Sequence, residues 1–260
     1  MPGKLSLQPN AVQPRCVTSG PYKGALRAMR RTHPPFKDPT GGPNDTDDPE
    51  TMHGAHNWAR MAKGNGSLWK IPYGQQFEIG FKFLVPASSD ADIAAFKQPD
   101  SSWTFICAPS TSSGPTTSVF RILLNFYGHG QSILLNSGYV NSGGTESDTF
   151  YGPGGVRGKG SDIKSNWTKP WSPNVWYAIR LIGVVDQRSD AKGWMKLYVD
   201  DMTAPFITAT GIRNGKHGES STKAIEFGQY SDWGLRNRRR CIYYDQCYLK
   251  MGPSGFPPLK

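Results

Sequence analysis

The chain has 260 residues, with 30 Lys and Arg against 20 Asp and Glu, and a formal net charge of +10 at pH 7. Its aromatic content of 12% is too high for a disordered chain. No apolar run approaches the ~20 residues that span a bilayer, and the long Ala, Glu, Lys and Leu stretches of helical bundles are missing. The length allows one large all-β domain or two smaller domains, and we expect no membrane partner.

The first fifty residues differ from the rest because Pro, Gly and Thr dominate them, and their basic residues precede their acidic ones. Residues 25–31 could form one helical turn. Otherwise the composition predicts an extended arm over residues 1–50. Such an arm is ordered only when it lies on a surface, which is either its own domain or a neighbouring subunit. The N-terminus shows no apolar secretory signal, so we expect cytoplasmic synthesis or a place in a virion.

From residue 51 onwards, short strand-like segments are separated by turns rich in Gly, Ser, Pro and Asn. Residues 77–85 and 120–126 alternate between apolar and polar with a period of two, and residues 132–135 complete a hairpin with the second segment. Further strands are predicted at residues 175–185, 195–199, 225–230 and 241–249. Many short antiparallel strands without an amphipathic helix predict a sandwich or barrel.

The segments between and after these strands complete the predicted organisation. Residues 141–172 are rich in Gly, Ser and Asn, and we expect them to form long loops over one sheet. Residues 253–260 are interpreted as a C-terminal tail. The chain is therefore predicted to consist of an arm over residues 1–50, one domain over residues 51–252, and the tail.

The four cysteines are Cys16, Cys107, Cys241 and Cys247. Cys241 and Cys247 lie on one predicted strand, ~20 Å apart, which is too far for a disulfide between them. No Cys and His residues have the spacing of a zinc site. We therefore predict free thiols, no metal site and no cofactor.

Four segments of the second half occur in an order that resembles a known architecture. They read Val-Trp-Tyr-Ala-Ile-Arg at 175–180, Trp-Met-Lys-Leu-Tyr-Val-Asp-Asp at 194–201, Ile-Glu-Phe-Gly-Gln-Tyr at 225–230 and Ile-Tyr-Tyr-Asp-Gln-Cys-Tyr-Leu at 242–249. This order resembles the concanavalin A-like lectin/glucanase jelly roll, and it is similar to polysaccharide lyases of the glucuronan- and heparin-lyase type. The resemblance covers about residues 75–252. It implies a two-sheet antiparallel jelly-roll sandwich with an extended N-terminal arm.

The catalytic motifs of those lyases are largely absent from this chain. The lyases carry a Gln-x-His, whereas residues 93–99 contain no His, and only Gln229 and Tyr230 match their Lys-x-Gly-x-Tyr. We therefore favour a non-enzymatic structural or binding protein of a viral or phage particle, whose lectin-like jelly roll contacts glycan or neighbouring subunits. The alternative implied by the resemblance is a polysaccharide lyase that cleaves an anionic, uronate-containing glycan by β-elimination.

A lyase needs a base for the proton α to the uronate carboxyl and a cation that neutralises that carboxylate. The candidates for the base are Tyr230, Tyr244, His129 and His56. Arg180 or Lys196 could neutralise the carboxylate. Equally, the two tyrosines could be ordinary strand aromatics and His129 a turn residue. Glycoside hydrolysis is not favoured, because the paired carboxylates that glucanases of this fold place on one strand are absent.

Glycan binding without chemistry needs aromatic faces for sugar C–H surfaces and polar groups for hydroxyls. The predicted glycan-binding residues are Trp194, Lys196, Tyr198, Trp176, Arg180 and Trp233. The first three share one strand face, because they alternate with the apolar residues of the segment. Alternatively, the aromatic residues on that face support long loops such as residues 141–172.

The densest basic run consists of Arg236, Arg238, Arg239 and Arg240, in a predicted loop before the last strand. Such a run could bind nucleic-acid phosphates, although loop arginines are more often solvated or paired with acids. An acidic glycan or an acidic neighbouring subunit fits the charge equally well. The expected partners are therefore other copies or neighbouring subunits and an anionic glycan, and nucleic acid is not favoured.

Overall fold

The computed structural model describes residues 4–7, 15–16, 23–31, 56–62, 67–85, 103–111, 119–125, 132–231 and 239–255, and no α-helix occurs among them. Their strands are β1 (Lys4–Leu7), β2 (Arg15–Cys16), β3 (Leu26–Arg31), β4 (His56–Ala62), β5 (Gln76–Leu84), β6 (Trp103–Ser110), β7 (Arg121–Asn125), β8 (Ser132–Val140), β9 (Glu146–Tyr151), β10 (Arg157–Gly158), β11 (Lys169–Pro170), β12 (Tyr177–Val184), β13 (Gly193–Val199), β14 (Ile207–Ile212), β15 (Gly215–Lys216), β16 (Ala224–Ser231) and β17 (Arg239–Met251). No helix within these ranges is long and apolar enough to span a bilayer.

The strands form two sheets. The large sheet has the spatial order β1-β4-β16-β6-β7-β8-β9-β10, with β11 and β15 paired to β8. The small sheet has the order β14-β13-β12-β5-β17-β3-β2. Neighbouring strands are antiparallel except for β15, which runs parallel to β8. The prediction of an all-β, two-sheet antiparallel jelly-roll sandwich is confirmed.

The core lies between the two sheets, and β5 shows how the sequence builds it. Phe77, Ile79, Phe81 and Phe83 alternate with polar or small residues, and each is at most 2% exposed. The Phe77 ring stacks on that of Phe120, next to β7 of the large sheet, with 5.2 Å between the ring centroids. Burying each of these side chains stabilises the fold by roughly 1.5–3 kcal/mol.

The other predicted strands are also present. β7 and β8 pair antiparallel as the predicted hairpin. β12, β13, β16 and β17 begin and end within two residues of the predicted segments 175–185, 195–199, 225–230 and 241–249. Period-two patterns therefore located the sheet elements well, because each strand buries one face in the same core.

Parts of the first fifty residues join the sheets of the same chain. β1 pairs with β4 at one edge of the large sheet, and β3 pairs with β17 in the small sheet. The helical turn considered at residues 25–31 is wrong, because the Leu26–Arg31 backbone is hydrogen-bonded to β17 as a strand. The boundaries of arm, domain and tail stay a prediction.

The expected loops at residues 141–172 include the strand β9 and the two-residue strands β10 and β11. They also include three short 3-10 turns, at Pro153–Gly155, Gly160–Asp162 and Ser165–Trp167. Ile163 and Trp167 pack against Leu123 of β7 and Leu134 of β8. These two leucines alternate with core residues, so they lie on the outer face of the large sheet. The segment therefore covers that face over β7 and β8, as expected.

Candidate functional site

The candidate site lies on the outer face of the large sheet, where β16 runs between β4 and β6. Ile225 and Phe227 are fully buried in the core, so the alternation of the strand assigns Glu226 to the outer face. The register of β16 and β4 is unbroken and pairs Glu226 with Arg60 and Tyr230 with His56. Both pairs of positions therefore belong to the same outer face.

The pairing of β16 with β6 is interrupted beside Tyr230. Phe227 pairs with Cys107 and Tyr230 pairs with Phe105, so three steps along β16 match two along β6. This is the count of a β-bulge, which bends a strand and changes the direction of its side chains. Bulges are over-represented next to active sites.

Charged residues are buried along the same outer face. Glu226 is completely buried, and Arg121 of β7 is 4% exposed. The Arg121 guanidinium donates from Nη1 to Asn136 Oδ1 at 2.9 Å and to Asp148 Oδ1 at 2.7 Å. Buried charges persist only when they are paired and hydrogen-bonded. This part of the large sheet is thus a built polar surface rather than a solvated face.

Trp167 bounds this surface on the side of β7 and β8. Its indole lies against Gly152, where an added Cβ would come within 2.6 Å of the ring. The absence of a side chain at Gly152 lets the 3-10 segment lie close to the sheet. The 3-10 segment therefore covers the outer face over β7 and β8, and the paired positions of β4 and β16 lie on the other part of that face.

Two other predicted catalytic residues, Tyr244 and Arg180, do not lie near Tyr230. Tyr244 is 1% exposed and packs in the core, with ring centroids 5.9 Å from Phe81 and 6.3 Å from Phe227. As a core aromatic, it has no access to a substrate. Arg180 lies on the outer face of the small sheet, where its Nη2 donates to Glu78 Oε2 at 3.1 Å.

Several predicted site residues lie outside the described residues, namely His129, Trp233, Arg236 and Arg238. Arg239 and Arg240 are described by their backbone alone. Both lie in β17, paired with Arg31 and Arg30, so these two begin the last strand instead of lying in a loop before it.

The predicted glycan-binding face on β13 is largely covered. Trp194 is 5% exposed and Tyr198 is 7% exposed, although both alternate with core residues as predicted. The Arg180 guanidinium lies over the Tyr198 ring, 5.1 Å from its centroid, and Lys196 is half-buried. Trp176, by contrast, is 36% exposed. An open row of aromatic rings is therefore not formed on this strand.

The predicted free thiols are confirmed for Cys107 and Cys247. Burial raises the pKa of Cys107 well above its ordinary value, and it raises the pKa of Cys247 to about 12. Burial therefore disfavours the thiolate form in both residues, which is typical of structural and not of reactive cysteines. Among the described residues, no three His, Cys, Asp or Glu side chains are grouped as metal ligands would be.

Sequence reasoning missed Arg60 and Arg121, whose positions lie on the same outer face as those of Tyr230 and His56. A signal was present in the strand patterns, because Arg121 and Glu226 each stand between two apolar residues. A charge flanked by core residues marks a polar position on the outer face of a strand. It does not show which strands are neighbours.

No protein-family model matches the chain, and no curated protein matches it. Among solved structures, the chain is similar to an endo-β-1,4-glucuronan lyase from the fungus Trichoderma reesei, with a TM-score of 0.55 and 14% identity over 95% of this chain and 86% of that chain. It is also similar to the alginate lyase AlyC3, with a TM-score of 0.47 and 9% identity over 88% and 75% of the two chains. A marine alginate lyase from Aplysia kurodai matches with a TM-score of 0.46 and 11% identity over 91% and 86%. The similarity in fold to polysaccharide lyases agrees with the resemblance found in the sequence.

Proposed function

We propose that the protein is a polysaccharide lyase that cleaves an anionic, uronate-containing glycan by β-elimination on the outer face of its large sheet. The observation that carries this proposal is the direct pairing of the Tyr230 and His56 positions, next to a β-bulge and on the same face as Arg60. The fold likeness to a glucuronan lyase supports the substrate class.

The reaction requires a proton acceptor, a proton donor and a cation. The base removes the proton from C5 of the uronate, the electron pair of that bond forms the C4–C5 double bond, and the C4–O4 bond breaks. The leaving O4 receives a proton, so atoms and electrons balance without a co-substrate. A phenol and an imidazole can supply the two proton transfers, since either group accepts or donates according to its charge state.

The register brings Tyr230 and His56 within reach of one sugar unit. Residues directly opposite each other in an antiparallel pair have Cα atoms ~4.5–5.5 Å apart, so Tyr230 and His56 can act on the same glycosidic bond. Arg60 is four residues from His56 on β4, or ~13 Å along the strand. We assign to Arg60 the neutralisation of the uronate carboxylate, which stabilises the charge that develops in the transition state.

Arg121 is given a supporting role in this proposal. Its guanidinium is buried and already donates to Asn136 and Asp148, so it is committed to the sheet. Asp148 balances its charge, so Arg121 holds the polar surface in place without adding net positive charge to it. The net charge of +10 of the whole chain favours the approach of a polyanionic glycan.

The experiment incubates the full chain with glucuronan, alginate and heparin, and follows the ultraviolet absorbance of the unsaturated product. We expect product from at least one of these polymers. Tyr230→Phe removes only the ionisable hydroxyl and is expected to lower kcat by ~100-fold or more, the scale of a lost general acid or base. His56→Asn is expected to lower kcat on the same scale.

Tyr248→Phe is the matched control. This phenol belongs to the other sheet, where its hydroxyl donates to Glu78 Oε1 at 2.8 Å, so its removal is expected to leave kcat unchanged. Absence of product from all three polymers at high enzyme load would refute the proposal. Full activity of Tyr230→Phe would refute the assignment of this face. The earlier hypothesis of a virion component has no support from the described residues or from the similar structures, and it stays a prediction.

A further inference from the structure

A second cleft lies on the outer face of the small sheet, on the opposite side of the sandwich from the proposed active site. Its volume is about 330 Å³, and it is lined by Lys82, Trp176, Ala178, Asp200 and Asp245. It forms where three strands meet, since Lys82 of β5 pairs with both Ala178 of β12 and Asp245 of β17. Its volume is at the lower end of the ~300–1,000 Å³ that is typical of small-molecule sites.

Trp176 forms an exposed aromatic wall of this cleft. It is 36% exposed, whereas Trp167, Trp171 and Trp194 are each at most 5% exposed. The floor is Ala178, whose small side chain leaves room above the strand. An indole beside open space can stack on the apolar C–H face of a sugar ring.

The backbone around the cleft is strained. Among the described non-glycine residues, positive φ angles occur at Asn174 (59°), Asp200 (61°) and Gln246 (52°). Asn174 is two residues before Trp176, Asp200 lines the cleft, and Gln246 follows Asp245 at a register shift in the pairing of β17 with β5. Asn and Asp adopt this conformation more readily than Gln does. Strain of this kind, costing ~1–3 kcal/mol per residue, concentrates at ligand sites.

The two carboxylates of the cleft are held by backbone amides. Asp200 Oδ1 accepts from Ala178 N at 2.9 Å, and Asp245 Oδ1 accepts from Gln246 N at 2.8 Å. Within the described part of the chain, the second oxygen of each carboxylate accepts no hydrogen bond, and Lys82 forms no ion pair. The cleft thus presents oriented acceptors and one strong donor to a ligand.

The charges of the cleft select the ligand. Two carboxylates and one ammonium give it a net charge of −1, which repels a uronate carboxylate. Sugar hydroxyls are both donors and acceptors, so they can donate to Asp200 and Asp245 while accepting from Lys82. We propose that this cleft binds a neutral sugar unit, stacked on Trp176, as a glycan-binding site separate from the outer face of the large sheet. This assignment does not depend on lyase activity.

The test is isothermal titration calorimetry of the full chain with hexasaccharides of glucose, mannose and xylose. We expect at least one of them to bind. Trp176→Ala is expected to weaken that binding by up to ~10-fold, because a stacked aromatic contributes up to ~1.5 kcal/mol. Val175→Ala is the matched control, because Val175 is 43% exposed and adjacent but does not line the cleft, and it is expected to bind like the unmodified chain.

A charge variant tests the selectivity. Asp245→Asn keeps the shape of the side chain and makes the cleft neutral, so binding of a glucuronate trisaccharide should improve relative to the neutral sugars. This titration is performed in Tyr230→Phe, so that cleavage does not consume the probe. The proposal would be overturned if none of the three neutral hexasaccharides bound, or if Trp176→Ala bound them as the unmodified chain does. It would also be overturned if the Tyr230→Phe chain, with Asp245 intact, bound the glucuronate trisaccharide more strongly than the neutral sugars and in a way that depends on Trp176. Loss of lyase activity alone would leave each of these results unaffected.

Discussion

Asp186→Asn tests whether a buried carboxylate holds the turn between β12 and β13. Asp186 is completely buried. Its Oδ1 accepts from the backbone N and the Nε of Arg188, both at 3.0 Å, and its Oδ2 accepts from Arg188 Nη2 at 3.0 Å and Lys192 N at 2.6 Å. In the Asn variant one of these oxygens becomes an NH₂ group. Two of the four donors then face another donor instead of an acceptor.

The structure sets the size of the expected loss. Hydrogen bonds to charged groups contribute ~1.5–3 kcal/mol each, so two lost bonds correspond to roughly 3–6 kcal/mol. The Arg188 side chain is 42% exposed, so water replaces part of what the guanidinium loses. We therefore expect Asp186→Asn to lower the free energy of unfolding by about 3 kcal/mol.

Urea unfolding followed by tryptophan fluorescence measures this difference. Asp190→Asn is the control, because Asp190 is 57% exposed and its ion pairs with Arg188 and Lys192 are both 3.6 Å long. It should change the free energy of unfolding by no more than about 0.5 kcal/mol. A loss below about 1 kcal/mol in Asp186→Asn would show that the carboxylate does not hold the turn.

The pH dependence gives an independent check. Burial acts to raise the pKa of Asp186, but the hydrogen bonds from Arg188 and from Lys192 N outweigh it and lower the pKa below the ordinary 3.8. Because the folded-state pKa is the lower one, the ionised carboxylate stabilises the fold above pH 3.8. This stabilisation is lost as the pH falls through the folded-state pKa, and Asp186→Asn should lack that part of the acid sensitivity.

Two glycine substitutions test close contacts on the outer faces. A methyl group at Gly80 would overlap the Tyr248 ring, so Gly80→Ala should lower the free energy of unfolding by ~2 kcal/mol, measured by thermal unfolding. The double variant Gly80→Ala, Tyr248→Ala should lose less stability than the sum of the two single variants. Strict additivity would contradict the contact. Gly152→Ala should displace Trp167 and lower stability by ~1–3 kcal/mol, whereas the exposed Gly143→Ala should stay within ~0.5 kcal/mol of the unmodified chain. Equal melting temperatures of Gly152→Ala and Gly143→Ala would contradict the close contact between Gly152 and Trp167.

The fold could be predicted because each strand carries its own pattern. In β5 the four apolar residues all face the core, and their period of two was readable without knowledge of any neighbour. The same pattern assigned Trp194 and Tyr198 to the outer side of β13 correctly. It could not predict the burial of Tyr198, because the Arg180 side chain that lies over its ring comes from another strand.

The candidate site was only partly predictable, because it depends on which strands become neighbours. Tyr230 and His56 were each considered as a base, but their pairing joins segments that are far apart in the sequence. Arg180 was chosen as the neutralising cation, and the register places it on the other sheet. Tyr244 was readable as a strand residue that shares a face with Ile242, and both residues face the core.

The order of the strands also determines how this protein is made. β16 is inserted between β4 and β6, and β17 between β5 and β3, so the last two described strands complete the interior of both sheets. Until residues 224–251 have left the ribosome, earlier strands expose unpaired edges that invite aggregation. Both sheets can therefore be completed only after β17 has been synthesised, and we expect folding to be slow, since such distant segments must find each other. A nascent chain stalled before β16 would need chaperone protection.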